Sequence, residues 1–175
     1  MLRAILFTHV AAMIGLFVAL AIEWVTVARL RRALTYEQAR EWAAPWNPLA
    51  LVGVPSFLVV WVSGVYLAKT LGVWELDWTS VAMPTLVVVA IAAGVIRPRR
   101  RRLLAAISTN SGRLPQPVLA ELRQPLLVLS LRLRAALLVG LVFLMTVKPD
   151  RGMLIILAVG SLGALWGLAA RKGPP

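Results

Sequence analysis

The sequence predicts an all-α, polytopic transmembrane helical bundle. Three observations carry that prediction. Hydrophobic residues make up 60% of the 175-residue chain, and mean hydropathy is +0.82, well above an ordinary soluble domain. The excess is concentrated in five apolar runs, each near the ~20 residues that cross a ~30 Å hydrocarbon core. None of the runs alternates polar with apolar residues as a barrel strand would, so helices are the spanning element. The expected spans are about 3–27, 49–71, 79–96, 126–147 and 152–170, forming one transmembrane domain over 1–175.

Orientation follows from the cations. Four arginines follow the first span (Arg29, Arg31, Arg32, Arg40). Seven follow the third (Arg97, Arg99, Arg100, Arg101, Arg102, Arg113, Arg123), Arg132 and Arg134 enter the fourth, and Arg171 and Lys172 sit in the tail. In a five-span arrangement these fifteen share one side, against four (Arg3, Lys69, Lys148, Arg151) on the other. The positive-inside rule places the larger group in the cytoplasm, with the N-terminus outside and the C-terminus inside. Trp74 and Trp78 then fall at the outer interface, and Trp24, Trp42 and Trp46 at the inner one. "ALA" at 19–21 resembles a signal-peptide cleavage triplet. Cleavage would leave the Arg29–Arg32 cluster outside, against the charge bias, so retention of the first span is expected.

The +12 net charge belongs to the flanks of the spans rather than to a separate basic domain, which argues against nucleic acid as a partner. The chain has no cysteine, which excludes disulfides, thiolate metal sites and cysteine nucleophiles.

Between the first two spans, Thr35 followed by Gln38 has the form of a capping box. It predicts a short surface helix from Tyr36 to about Ala43, stopped by Pro45 and Pro48. The stretch 97–125 opens with "RPRRRR" and is expected to be a basic cytoplasmic loop, because the polar residues and three prolines of its later part, "STNSGRLPQPVLAELRQP", argue against a folded domain. Arg97, Arg99, Arg100, Arg101 and Arg102 would meet anionic lipid headgroups at ~1 kcal/mol per charge near the surface. In the fifth span Gly160, Gly163 and Gly167 share a helix face. Small residues there allow close packing within the chain or a homo-oligomer contact.

Polar residues inside spans are the candidates for function. His9, the only histidine, lies about 40° from Met13 around a helix, and Glu23 returns to within about 40° of His9 on its other side. All three therefore occupy one face, expected to turn inward because exposing a charge to lipid costs about 2.5–3.5 kcal/mol. Met83, Met145 and Met153 are expected at the depth of His9, in the outer half. Imidazole and thioether suit Cu(I), so His9, Met13, Met83, Met145 and Met153 form a candidate metal set. A hydrogen-bonded structural histidine with methionine as core filler fits the same residues. At the other end Glu23 lies level with Arg132 and Arg134, predicting a charge pair across the first and fourth spans; snorkelling to the interface is the alternative. No phosphate-binding loop, zinc pair or serine–histidine–acid arrangement is present, so no enzyme is expected. Ser63 beside Gly64 reads as a packing pair.

"THVAAMIG", "ARLRRALT", "SGVYLA" and "LLVGLVFLMTVKP" occur in that order in the first, second and fourth spans and their flanks. In this order of features the chain resembles the copper-resistance protein D group and related small bacterial membrane proteins. The resemblance implies a bacterial inner-membrane bundle, copper or b-type haem as a cofactor, and His9 as the match to the group's first-span histidine. The chain departs from the group in having no further histidine, which leaves haem only a His9–Met ligation or a site shared between two chains. Three functions remain in view: a structural or accessory membrane protein, a Cu(I)- or haem-handling protein, and a transporter with a His9–Glu23 polar face.

Overall fold

The computed structural model describes residues 1–148, Ile156 and 158–163. These form helices α1 (Leu2–Leu30), α2 (Tyr36–Ala43), α3 (Trp46–Thr70), α4 (Asp77–Ser108), α5 (Gln116–Leu122) and α6 (Pro125–Val147), with 156 and 158–163 also helical. Among the described residues, α1, α3, α4 and α6 are the helices long and apolar enough to cross a membrane. The fifth predicted span lies mostly outside the described residues.

Helices α1 and α3 pack along most of their length. Small residues permit it: Gly15 lies against Ser56, and a Cβ on Gly53 would sit 3.5 Å from the Ala19 Cβ. Together with His9 against Ser63, these pairs run in opposite order along the two helices, so α1 and α3 are antiparallel. Helices α4 and α6 also pair extensively, and α1 contacts α6. The spans therefore lie in the order α3–α1–α6–α4. The ring closes loosely, because α3 and α4 touch only sparsely. The outward face of α1 is apolar and exposed at Phe7, Val10, Ile14, Val18 and Val25, at the spacing of one helical stripe.

The short helix α2 has the predicted bounds. Thr35 Oγ1 accepts from the Gln38 amide at 3.3 Å, and Gln38 Oε1 accepts from the Leu34 amide at 3.1 Å. It does not lie free on a surface, however: it packs on the far end of α4 and on α1. Trp46, expected at an interface, is instead buried in the core, with 1% exposure.

The expected loop over 97–125 is also corrected. Helix α4 continues without a break through the arginine run to Ser108, and α5 follows at Gln116–Leu122. Arginine, leucine and alanine are good helix formers, so "RRRRLLAAIS" extends the helix already nucleated by the apolar span. Leu103 and Ile107, at i and i+4, are buried and give the extension its inner face. The loop after it pairs with the α1–α2 connection. Thr35 bridges Arg113, the Tyr36 amide donates to the Gly112 carbonyl and the Leu114 amide to the Leu34 carbonyl, each at 2.9 Å. Gly112 has φ +86, a conformation that glycine adopts without strain.

Candidate functional site

Two polar constellations lie inside the bundle, one toward each end. The first is the predicted charge pair. Glu23 lies seven residues before the end of α1 and Arg134 nine residues into α6, and Arg134 Nη1 donates to Glu23 Oε2 at 2.8 Å. Both side chains are nearly enclosed, at 9% and 12% exposure for Arg134 and Glu23. Arg134 Nε also donates to the Ser130 carbonyl at 3.3 Å. A buried charge needs a partner of this kind, since the desolvation of either ion alone costs several kcal/mol. Arg132, the other sequence candidate, is half-buried on α6, and the carboxylate is bonded to Arg134.

This pair closes one end of a cleft of about 290 Å³. Its walls are apolar and come from α1 (Leu16, Leu20), α3 (Leu49, Phe57) and α4 (Val89, Ala93). Its polar end holds Glu23, Arg97, Arg100 and Arg134. The cleft occupies the place where α3 and α4 fail to close on each other. Arg100 lies over the Trp46 ring, 5.8 Å from its centroid, within the range of a cation–π contact. The basic cluster anticipated as one lipid-facing group therefore divides. Arg97 and Arg100 line the cleft, whereas Arg99, Arg101 and Arg102 do not. Sequence reasoning missed this division. An arginine run in helical conformation presents residues three apart on a common face, so the signal was present once 97–108 was taken as helix.

The second constellation surrounds His9. The ring is buried, at 7% exposure, and its Nδ1 lies 2.8 Å from Ser63 Oγ. The Ser63 hydroxyl donates to the Val59 carbonyl. With that proton committed, Ser63 Oγ is an acceptor, and the network assigns the imidazole proton to Nδ1, leaving Nε2 as the basic nitrogen. Gly64 makes room for the ring: a Cβ there would lie 3.4 Å from His9 Cε1 and 3.9 Å from the Met83 methyl. Met83 thus reaches the same point over α3 as His9. Met13 is buried on the His9 face of α1. Met145 is half-buried near the end of α6, with no described contact to His9, and Met153 lies outside the described residues. Ser63 and Gly64 therefore form a polar seat for the histidine as well as a packing pair. The depth match was legible, because His9 lies seven residues into α1 and Ser63 seven before the end of α3.

Among the described residues no three of His, Cys, Asp and Glu come together as a metal group. Gly160 and Gly163 face α6 of the same chain: a Cβ on Gly163 would stand 2.6 Å from the Ala136 Cβ, and one on Gly160 3.5 Å from Leu137 Cδ2. Gly167 lies outside the described residues.

The fold and its two polar constellations have the features of an integral membrane protein of the all-helical class. Comparison with protein-family models, with curated proteins and with solved structures finds no match in any of the three.

Proposed function

We propose that this is a multi-pass protein of the bacterial inner membrane, with five spans, its N-terminus outside and its C-terminus cytoplasmic. On this reading it is a non-catalytic, accessory bundle of the copper-resistance-D-like kind that works through its arginine-rich end. One observation carries the proposal: α4 runs unbroken from an apolar span into Arg97–Arg102, buttressed by α2. A rigid rod carrying guanidinium groups past the hydrocarbon edge holds them at the headgroup layer, where anionic lipid contributes ~1 kcal/mol per charge. The test uses the full chain in nanodiscs of phosphatidylcholine with and without phosphatidylglycerol. Anionic lipid should raise the unfolding temperature, and the R99Q/R101Q/R102Q variant should lose most of that gain. A wild-type protein indifferent to phosphatidylglycerol would overturn the reading.

A second reading has its own support in the His9–Met83 approach over Gly64. An imidazole with Nε2 basic beside a thioether is a donor set that suits Cu(I), and His9, Met83 and Met13 would hold the ion. Copper retained by the purified protein and lost in His9→Ala would favour it; retention unchanged by that substitution would remove it. Haem fits less well, because His9 is packed over Gly64 and the 290 Å³ cleft is lined by neither His9 nor any methionine. The transporter reading relies on one face linking His9 to Glu23. These residues are roughly 21 Å apart along α1, and each is held by its own partner.

A further inference from the structure

The cleft between α3 and α4 combines two chemistries along one axis. Its length is walled by aliphatic and aromatic side chains, and it ends on guanidinium groups. Charge at that end is unbalanced. Arg97, Arg100 and Arg134 face a single carboxylate, Glu23, and that carboxylate is already bonded to Arg134. Among the described residues the ion pairs are Arg134–Glu23 and Arg40–Glu37, so neither Arg97 nor Arg100 is in salt-bridge contact with a carboxylate. Glu23 acts on Arg100 only at longer range, against the repulsion of Arg97, Arg134 and Arg101. Arg100 is nevertheless half-buried, with its guanidinium over the ring of the buried Trp46 at 5.8 Å from the centroid. That position holds its guanidinium toward the cleft instead of releasing it to water.

The mouth opens sideways, through the sparse α3–α4 contact, where Val54 and Gly94 are exposed. A ligand entering there passes between the exposed apolar faces of α3 and α4. About 290 Å³ is at the low end of the roughly 300–1,000 Å³ of small-molecule sites. It suits one alkyl chain better than a bulky ring system. Guanidinium groups bind phosphate through paired N–H donors.

We infer that the cleft seats one acidic membrane phospholipid, with an acyl chain between α1, α3 and α4 and the phosphate on Arg97 and Arg100. The second chain stays outside, against the apolar face of α3. This rests on the proposed membrane setting of the chain but not on Arg99, Arg101 or Arg102, which lie off the cleft.

Gly94 supplies the decisive variant. It lines the cleft, and a Cβ added there meets nothing within 4 Å. Leucine at this position intrudes on the cleft, leaves every arginine in place and improves helix propensity. Native mass spectrometry of the full chain, taken from nanodiscs of mixed phosphatidylcholine and phosphatidylglycerol, should show one phosphatidylglycerol retained per wild-type chain. Arg97→Gln and Arg100→Gln should each lower retention about fivefold. Gly94→Leu should abolish it while the R99Q/R101Q/R102Q variant keeps it, so this inference and the reading of the basic end fail separately. Ala90→Leu, one turn away on the same wall, repeats the test should Gly94→Leu unfold. Equal retention by the cleft-filling variants would overturn the inference. So would phosphatidylcholine held as well as phosphatidylglycerol, or inorganic phosphate alone stabilising the protein as much as the lipid.

Discussion

Glu23 and Arg134 show how an ion pair sits inside a bundle of this kind. Each has lost most of its water, and each is compensated by the other at 2.8 Å, with the Ser130 carbonyl taking a further guanidinium proton. Removing one partner leaves the other as an uncompensated buried charge, a loss of about 3–5 kcal/mol, whereas removing both leaves none. Glu23→Gln and Arg134→Gln should therefore each lower stability sharply, and the double variant should recover part of the loss. Thermal unfolding of the four proteins in detergent checks this; strict additivity would show that the two groups do not interact. His9 is a milder case of the same rule. Its ring is neutralised in hydrogen-bonding terms by Ser63, whose own proton goes to a backbone carbonyl, so no polar atom of that chain of bonds is left unmade on the serine side.

At the scale of elements, the far end of α4 and the start of α2 are joined by a small clamp. The Glu37 carboxylate accepts from the Gly112 amide at 3.0 Å, and that bond holds its pKa below the ordinary 4.5, with Arg40 a lesser contributor. A depressed carboxylate pKa stabilises the fold above the unfolded value, and the contribution is lost as pH falls through the folded value. The clamp should accordingly be intact at neutral pH and should loosen only in acid below pH 4.5. Amide hydrogen exchange in the 112–114 loop segment should accelerate across that acid range relative to α4, beyond the intrinsic trend. Glu37→Gln should remove the pH step, and a step that persists in Glu37→Gln would assign it to another group. Gly112→Ala should weaken the clamp independently of pH, because its φ of +86 strains any residue with a Cβ.

For the whole molecule, aromatic–cation contacts mark both ends. Lys69 lies over Trp74 and Lys148 over Trp78, at 6.0 and 5.9 Å from the ring centroids, while Arg100 lies over Trp46 at the arginine-rich end. The asymmetry is in the number of cations, and it sets the proposed orientation. Single cysteines introduced at Ser111 and Glu75 should be labelled from the cytoplasmic and outer sides respectively. The reverse pattern would invert the proposed topology, and with it the assignment of the arginine-rich end to the acidic inner leaflet.

The sequence by itself determined the helical class, the positions of α1, α3 and α6 to within a few residues, the start of α4 but not its end, and the bounds of α2. Those follow from local rules: hydrocarbon thickness sets the length of an apolar helix, and a capping residue sets where a short one starts. It also brought Glu23 level with Arg132 and Arg134, because depth along a span can be counted. Only the tertiary structure decided that Arg134 holds the carboxylate, that Ser63 and Gly64 seat His9 with Met83 nearby, and that Trp46 is core. It alone showed that the arginine run is helical and divides between the α3–α4 cleft and the outside. Depth is a count along one helix, whereas these outcomes depend on which face each helix turns to its neighbours. That choice is made jointly by small-residue contacts such as Gly15–Ser56 and Ala19–Gly53, and no single run of sequence contains it.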